Sequence, residues 1–588
     1  MIRAFVSRFE LRFLVLVTAF TLVFLFVRMP EASASTASSA GGVITYTAAA
    51  GETNTLAIFI SGAVYILDDG PGITITPGGG CVGGGAPGAD VTCPGPAVTT
   101  GFSVSLGDGN DSLVFGAGIT DTATVSGAAG NDSLGGANGA DVFDGGSEND
   151  FVPGSAGADS ALGGLGNDSL VGGAASDTLG GGDGDDTLVG ESGADSLVGG
   201  AGDDAVVHVE DVNYTLTNSA LTTGGTTDAL SSIERVSLEG GGSANTFNAS
   251  AFGPSSTTLN GAGGNDTFTG GQSGDSVIGG VGTDRFIQAS DANQLISDTG
   301  ATGLGSDVLS GVEEAVLTGG PSNNIIDALG FSGATTVDGG AGNDDLRGGS
   351  GPNSLIGGTG SDSLFGSSGN DSLFGGDDSD TLTGSLGDDF LDGGNGTDQL
   401  FESLDTNMTL SNTALIGSTT DTLSAIETAV LVGGASGNSL DASSTSMPVT
   451  LDGGGGNDTL RGGSNNDLLQ GDAGDDFGTG GLGSDTLFGA GGNDSLSGES
   501  GNDRLDGGSE NDTLRGGSED DTIQGEFGSD RLFGGGGNDR ELGGPQNDTL
   551  RGGGGNDTLQ GQQGADAIVG GSGADLCTGG RGDNLRGC

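Results

Sequence analysis

From residue 145 to residue 207 an inward-type position returns every nine residues, set among small and polar neighbours. The same beat runs through 261–287, 339–401 and 453–578. These blocks hold seven, three, seven and fourteen repeats of the form G-G-x-G-x-D-x-U-x, thirty-one in all. Position eight, U, is Leu, Val, Ile or Phe in 27 of them; the exceptions are Ala161, Gly478, Glu541 and Cys577. Nine residues are too few for a helix and a loop. The x-U-x triplet instead predicts a short strand with one side chain pointing inward. The six residues G-G-x-G-x-D predict a turn, because glycine takes positive φ at no steric cost. Two such units close a coil of eighteen residues. Stacked coils would pair as parallel strands about 4.8 Å apart, so the seven coils of 453–578 would span about 34 Å. The expected fold class is therefore all-β, a β-solenoid of nonapeptide repeats.

The segments between the blocks, 208–260, 288–338 and 402–452, are themselves related. LSSIERVSLEGGGSANTFNAS (230–250), LSGVEEAVLTGGPSNNIIDAL (309–329) and LSAIETAVLVGGASGNSLDAS (423–443) align without gaps. Each contains a degenerate nonapeptide with Asn245, Asn324 or Asn438 at position six. They read as irregular solenoid coils, against the plainer alternative of surface insertion loops. Ahead of the repeats, VITYTA, LAIFISG and AVYILDDG predict short strands of a small N-terminal β module over 35–100. The block that follows it is taken as 101–207. At the front, Arg3, Arg8 and Arg12 precede an apolar run from Phe13 to Val27 and the small-residue site Ala32-Ser33-Ala34. That order predicts a cleaved export signal over 1–34, against the alternative of an uncleaved N-terminal anchor; fifteen apolar residues are short for a membrane span.

Charge adds the chemistry. The chain carries 80 acidic and 15 basic residues for a net charge of −65, with 129 glycines. So much glycine without a period would indicate disorder. Here the acids keep the phase: position six is Asp in 30 of the 31 repeats, the exception being Asn353. A merely solvated acidic face would have no reason to do so. Stacking would bring these carboxylates together, and two unit charges 4 Å apart repel by about 4 kcal/mol at an effective dielectric near 20. A hard divalent cation reverses the sign. Calcium takes six to eight oxygens from carboxylates and backbone carbonyls, whereas magnesium keeps its water and demands a tight octahedron.

The candidate calcium ligands are therefore the phased aspartates. The first block supplies Asp150, Asp159, Asp168, Asp177, Asp186, Asp195 and Asp204, and the second Asp266, Asp275 and Asp284. The third supplies Asp344, Asp362, Asp371, Asp380, Asp389 and Asp398. The fourth supplies Asp458, Asp467, Asp476, Asp485, Asp494, Asp503, Asp512, Asp521, Asp530, Asp539, Asp548, Asp557, Asp566 and Asp575. Asp111, Asp132 and Asp141 join them from ragged copies such as LGDGNDSLV at 106–114. Asn245, Asn324 and Asn438 keep an oxygen but lose the charge, so the spacers should hold little metal or none.

The consensus resembles the RTX, haemolysin-type calcium-binding repeat. The resemblance implies a parallel β-roll with calcium ions held between successive turns by the position-six aspartates and turn carbonyls. Many relatives of that kind carry a C-terminal export signal and an enzymatic or pore-forming domain; here an N-terminal signal is expected, and no such domain is evident.

Enzymatic readings lack residues. His208 is the only histidine, which excludes H-E-x-x-H zinc chemistry. No G-x-S-x-G elbow occurs, and the absence of lysine removes a Walker-type phosphate site and a Schiff base. The phase of the aspartates speaks against a glycosidase pair. The net charge disfavours nucleic acid. Four cysteines allow three pairings; in an exported chain the simplest is Cys81 with Cys93 and Cys577 with Cys588, the latter placing 579–588 as a C-terminal cap. The expected function is that of an exported, extracellular or surface protein that folds on binding calcium and is structural or adhesive, not an enzyme. The alternative is a calcium-loaded module for a carbohydrate or cell-surface ligand.

Overall fold

The computed structural model describes residues 34–588 apart from 69–73, 78–79, 87, 96, 98–99 and 254. The export signal expected over 1–34 thus falls almost wholly outside the described residues. Every regular element among the described residues is a β-strand. The chain forms two compact units, one ending at Gly202 and the other running Asp203–Cys588, and each is a parallel β-solenoid.

In the first unit the eighteen-residue coil is visible in the strand register. Val142 lies opposite Ser160, and Ser169 opposite Thr187. The N-terminal segment seats directly on the first coil. Val43–Thr47 runs parallel to Gly101–Ser105 with Ile44 opposite Phe102, and Thr55–Ser61 runs parallel to Ser112–Phe115 with Leu56 opposite Leu113. Around those two strands the pairing turns antiparallel, through Ala34–Ala40, Val64–Asp68 and Val91–Pro94. Cys81 and Cys93 form a disulfide there.

In the second unit Thr486 pairs with Arg504 and Thr513 with Arg531, again eighteen residues apart. The spacers are coils of the same solenoid with one side elaborated. Tyr214–Thr217 runs parallel to Thr246–Ala251, but it also turns back into an antiparallel meander with Ala220–Thr223 and Thr226–Ser231. The other two spacers repeat this with Gln294–Ser297, Gly300–Thr302 and Ser306–Ser310, and with Met408–Ser411, Ala414–Ile416 and Thr420–Ser424. A ring pile joins the first spacer to its neighbours: Tyr214 stacks on Phe247 and Phe247 on Phe268, with centroids 5.1 and 4.9 Å apart.

The core is one side chain per half-coil. Leu487, Leu496, Leu505, Leu514, Ile523 and Leu532 are buried in succession. Three of the four exceptions at position eight have a visible local setting. A Cβ at Gly478 would come within 2.9 Å of Leu496 Cδ2, so neighbouring leucines already fill that space. Glu541 is fully buried and Oε1 accepts the Gly534 N–H at 2.7 Å. Cys577 is bonded to Cys588. In the tail, Asn584–Arg586 pairs parallel with Ala567–Ser572.

Candidate metal centre

The nonapeptide turn has a fixed backbone signature. Its second residue lies in the left-handed region in nearly every repeat, for example Gly146 (φ 114°), Gly358 (φ 111°) and Gly535 (φ 113°). Non-glycines bear this strain at the same position, among them Glu499 and Ala490. The first glycine is required for space: a Cβ at Gly145, Gly489 or Gly552 would collide with the carboxylate of its own repeat.

The turn delivers each position-six carboxylate to the coil before it. The Asp132 N–H donates to Asp150 Oδ1 at 2.8 Å, and the Asp150 N–H to Asp168 Oδ1 at 2.7 Å. Ladders of the same bond run Asp344–Asp362–Asp380–Asp398, and from Asp458 through Asp476, Asp494, Asp512, Asp530 and Asp548 to Asp566. Each carboxylate thus spends Oδ1 on a neighbouring backbone N–H.

The other oxygen is the anomaly. In twenty-seven of the candidate aspartates Oδ2 is buried and makes no hydrogen bond, Asp150, Asp266, Asp344, Asp458, Asp485 and Asp557 among them. A buried unpartnered polar atom costs about 1–3 kcal/mol, and more when charged. The cost of this burial appears in the carboxyl pKa values. Burial is the largest cause, partly offset by the N–H donated to Oδ1, and stacked neighbours add to it. Asp485 and Asp150 are pushed up to about 7, and Asp512 and Asp521 to about 8.

Asn353 identifies what the site lacks. Relative to Gly348 and to the Gly366 carbonyl, its amide nitrogen stands where Oδ2 stands in the aspartate repeats. That nitrogen lies 2.8 Å from the Gly351 carbonyl oxygen, 3.0 Å from that of Gly366, 3.1 Å from that of Gly349 and 2.9 Å from Asp371 Oδ1. The place is a nest of oxygens that receives an electropositive group. With asparagine the amide N–H groups fill it; with aspartate a cation or a proton must. The donor set is all oxygen and rich in backbone carbonyls, which suits calcium. Among the described residues no three acidic, His or Cys side chains converge as a metal cluster, so such an ion would draw on few carboxylates and many carbonyls.

Most of the sequence-derived ligands lie in these ladders; three differ. Asp141 accepts N–H groups on both oxygens, from Ala123 at 2.6 Å and Ala137 at 2.7 Å. Asp275 accepts from Thr257 (N–H 2.7 Å, Oγ1 2.8 Å) and Gly271 (2.5 Å), and Asp467 from Val449 (2.9 Å) and Gly463 (2.6 Å). Sequence reasoning also missed acids that end ladders. Glu313 and Glu427 accept the N–H groups of Asp284 and Asp398, each at 2.9 Å. Asp307 and Asp421 accept those of Asp275 (2.9 Å) and Asp389 (3.1 Å). The aligned spacers contain both signals, a D-x-L-S segment and the glutamate four residues after its leucine. Asp583 Oδ1 accepts the Asp566 N–H at 2.9 Å; its repeat is one residue short, which breaks the nine-residue count.

A family model for the RTX calcium-binding nonapeptide repeat matches residues 120–208, 253–286, 329–400 and 450–585, over half the chain. No curated protein matches it.

Proposed function

Because the chain belongs to the RTX calcium-binding nonapeptide repeat family, we propose that it is an exported β-roll that calcium folds outside the cytoplasm, where it acts as a structural or adhesive surface element. Calcium is its ion. The observation that carries the reading is the set of twenty-seven buried, partnerless Oδ2 atoms. They support the phased aspartates as ligands, with turn carbonyls completing the shell. The ion supplies positive charge; the chain supplies the oxygens, excludes water and fixes the coil spacing. The spacer coils, poorer in position-six aspartate, would separate calcium-rich blocks at 101–207, 261–287, 339–401 and 453–578. Export is supported by the arginine-led apolar run before Ala34 and by two disulfides, which persist in oxidising surroundings.

Fractionation of cells producing the full chain tests the location. The reading expects protein outside the cytoplasm, with an N-terminus near Ser35. Unprocessed chain held in the cytoplasm would contradict it.

A further inference from the structure

The turns fall into two classes that the consensus does not distinguish. In an open turn the position-two residue has positive φ and Oδ2 is left without a hydrogen bond, as at Gly481 (φ 112°) and Asp485. In a closed turn the position-two residue lies outside the left-handed region, and its N–H points into the position-six side chain. Among the described residues seven repeats of full length have one: Ala137 donates to Asp141 (2.7 Å), Gly241 to Asn245 (3.2 Å), Gly271 to Asp275 (2.5 Å), Gly320 to Asn324 (2.9 Å), Gly349 to Asn353 (3.1 Å), Gly434 to Asn438 (2.8 Å) and Gly463 to Asp467 (2.6 Å), and Gly580 donates likewise to Asp583 in the shortened last repeat.

Two independent features align with this division. Four closed turns carry asparagine at position six. Closed turns also begin ladders. One coil earlier, Asp141 and Asp467 meet the backbone N–H of Ala123 and Val449, Asp275 meets the N–H and hydroxyl of Thr257, and Asn353 meets the Thr335 hydroxyl. No position-six aspartate lies one coil behind Asp141, Asp275 or Asp467 to share an ion, whereas the Asn245 and Asn438 amides donate to Asp211 and Asp405 Oδ1, at 3.2 and 3.3 Å. A backbone N–H therefore takes the cation's place.

We propose that the flip of the position-two peptide decides which repeats accept calcium, and that Asp141, Asp275 and Asp467 hold none although they match the consensus. They start each ladder as calcium-independent turns on which the ion-dependent coils stack. This rests on the calcium reading above and refines it.

The test counts calcium bound per full-length chain by equilibrium dialysis, with circular dichroism in saturating calcium to confirm folding. The triple variant D141N/D275N/D467N should bind as many ions as the parent, and D150N/D284N/D485N should lose at least three. Equal losses in the two triples would overturn the inference while leaving the calcium reading intact. No loss in either would overturn both. The converse variant N438D, placed in a closed turn, should gain no ion. A gain of one ion would also overturn the inference.

Discussion

At the scale of the residue, two side chains per repeat carry the structure, an aspartate and an inward leucine. Leu514 is fully buried between Leu496 and Leu532 of the adjacent coils. Leu514→Ala should cost about 2–5 kcal/mol, read as a lower denaturation midpoint in saturating calcium. An unchanged midpoint would mean that the thin core is not what holds the coils. The aspartates set a pH dependence opposite to that of an ion-paired carboxylate. Their folded-state pKa values are raised from 3.8 to about 6 at Asp530, 7 at Asp485 and 8 at Asp512, chiefly by burial. The metal-free fold therefore binds more protons than the unfolded chain. Its contribution to stability is fully present below about pH 4 and is lost as pH rises through about 6 to 8. In chelator, the β signal should be stronger at pH 5 than at pH 8; the reverse order would show that these carboxyl groups are not the buried acids described here.

At the scale of the element, a half-coil is stable only between neighbours. Residues 453–578 form seven coils, and the tail adds one more strand through Asn584–Arg586. Repeats gain stability from adjacent interfaces, and three or more units are usually needed. A 453–588 fragment should therefore become protease-resistant in millimolar calcium, while a 261–287 peptide, one and a half coils long, should stay unstructured. A folded short peptide would refute the nearest-neighbour account. Reducing Cys577–Cys588, which closes a short loop, should release the last strand first, seen as faster amide exchange at Asn584–Arg586 with little change in the inner coils. The blocks were legible in the sequence because a nine-residue period permits so few structures. The spacer meanders were not, since apolar alternation is the same in Tyr214–Thr217 whether its neighbour runs parallel or antiparallel. Nor were the closed turns: Gly271, Gly349 and Gly463 occupy the same consensus position as Gly280 or Gly358. What separates them is the residue eighteen positions earlier, and that relation exists only once the coil is wound.

At the scale of the whole molecule, each unit is a stack whose repulsion grows with its length. Every added coil buries more carboxylate, and its backbone bonds satisfy only one oxygen of each aspartate in an open turn. The net charge of −65 adds long-range repulsion to that local deficit. One bound ion of 0.1 mM affinity contributes roughly 1.4 kcal/mol at about 1 mM calcium. A dozen independent sites would exceed the roughly 5–15 kcal/mol that separates folded from unfolded domains. Calcium on this account is the condition for folding and not an ornament on a finished structure. The most direct test is a calcium titration of the chelator-treated full chain at pH 8, followed by far-ultraviolet circular dichroism. The account predicts a disordered spectrum without calcium and a cooperative rise to β structure as the ion approaches millimolar concentration. A full β spectrum in chelator, unchanged by added calcium, would contradict it.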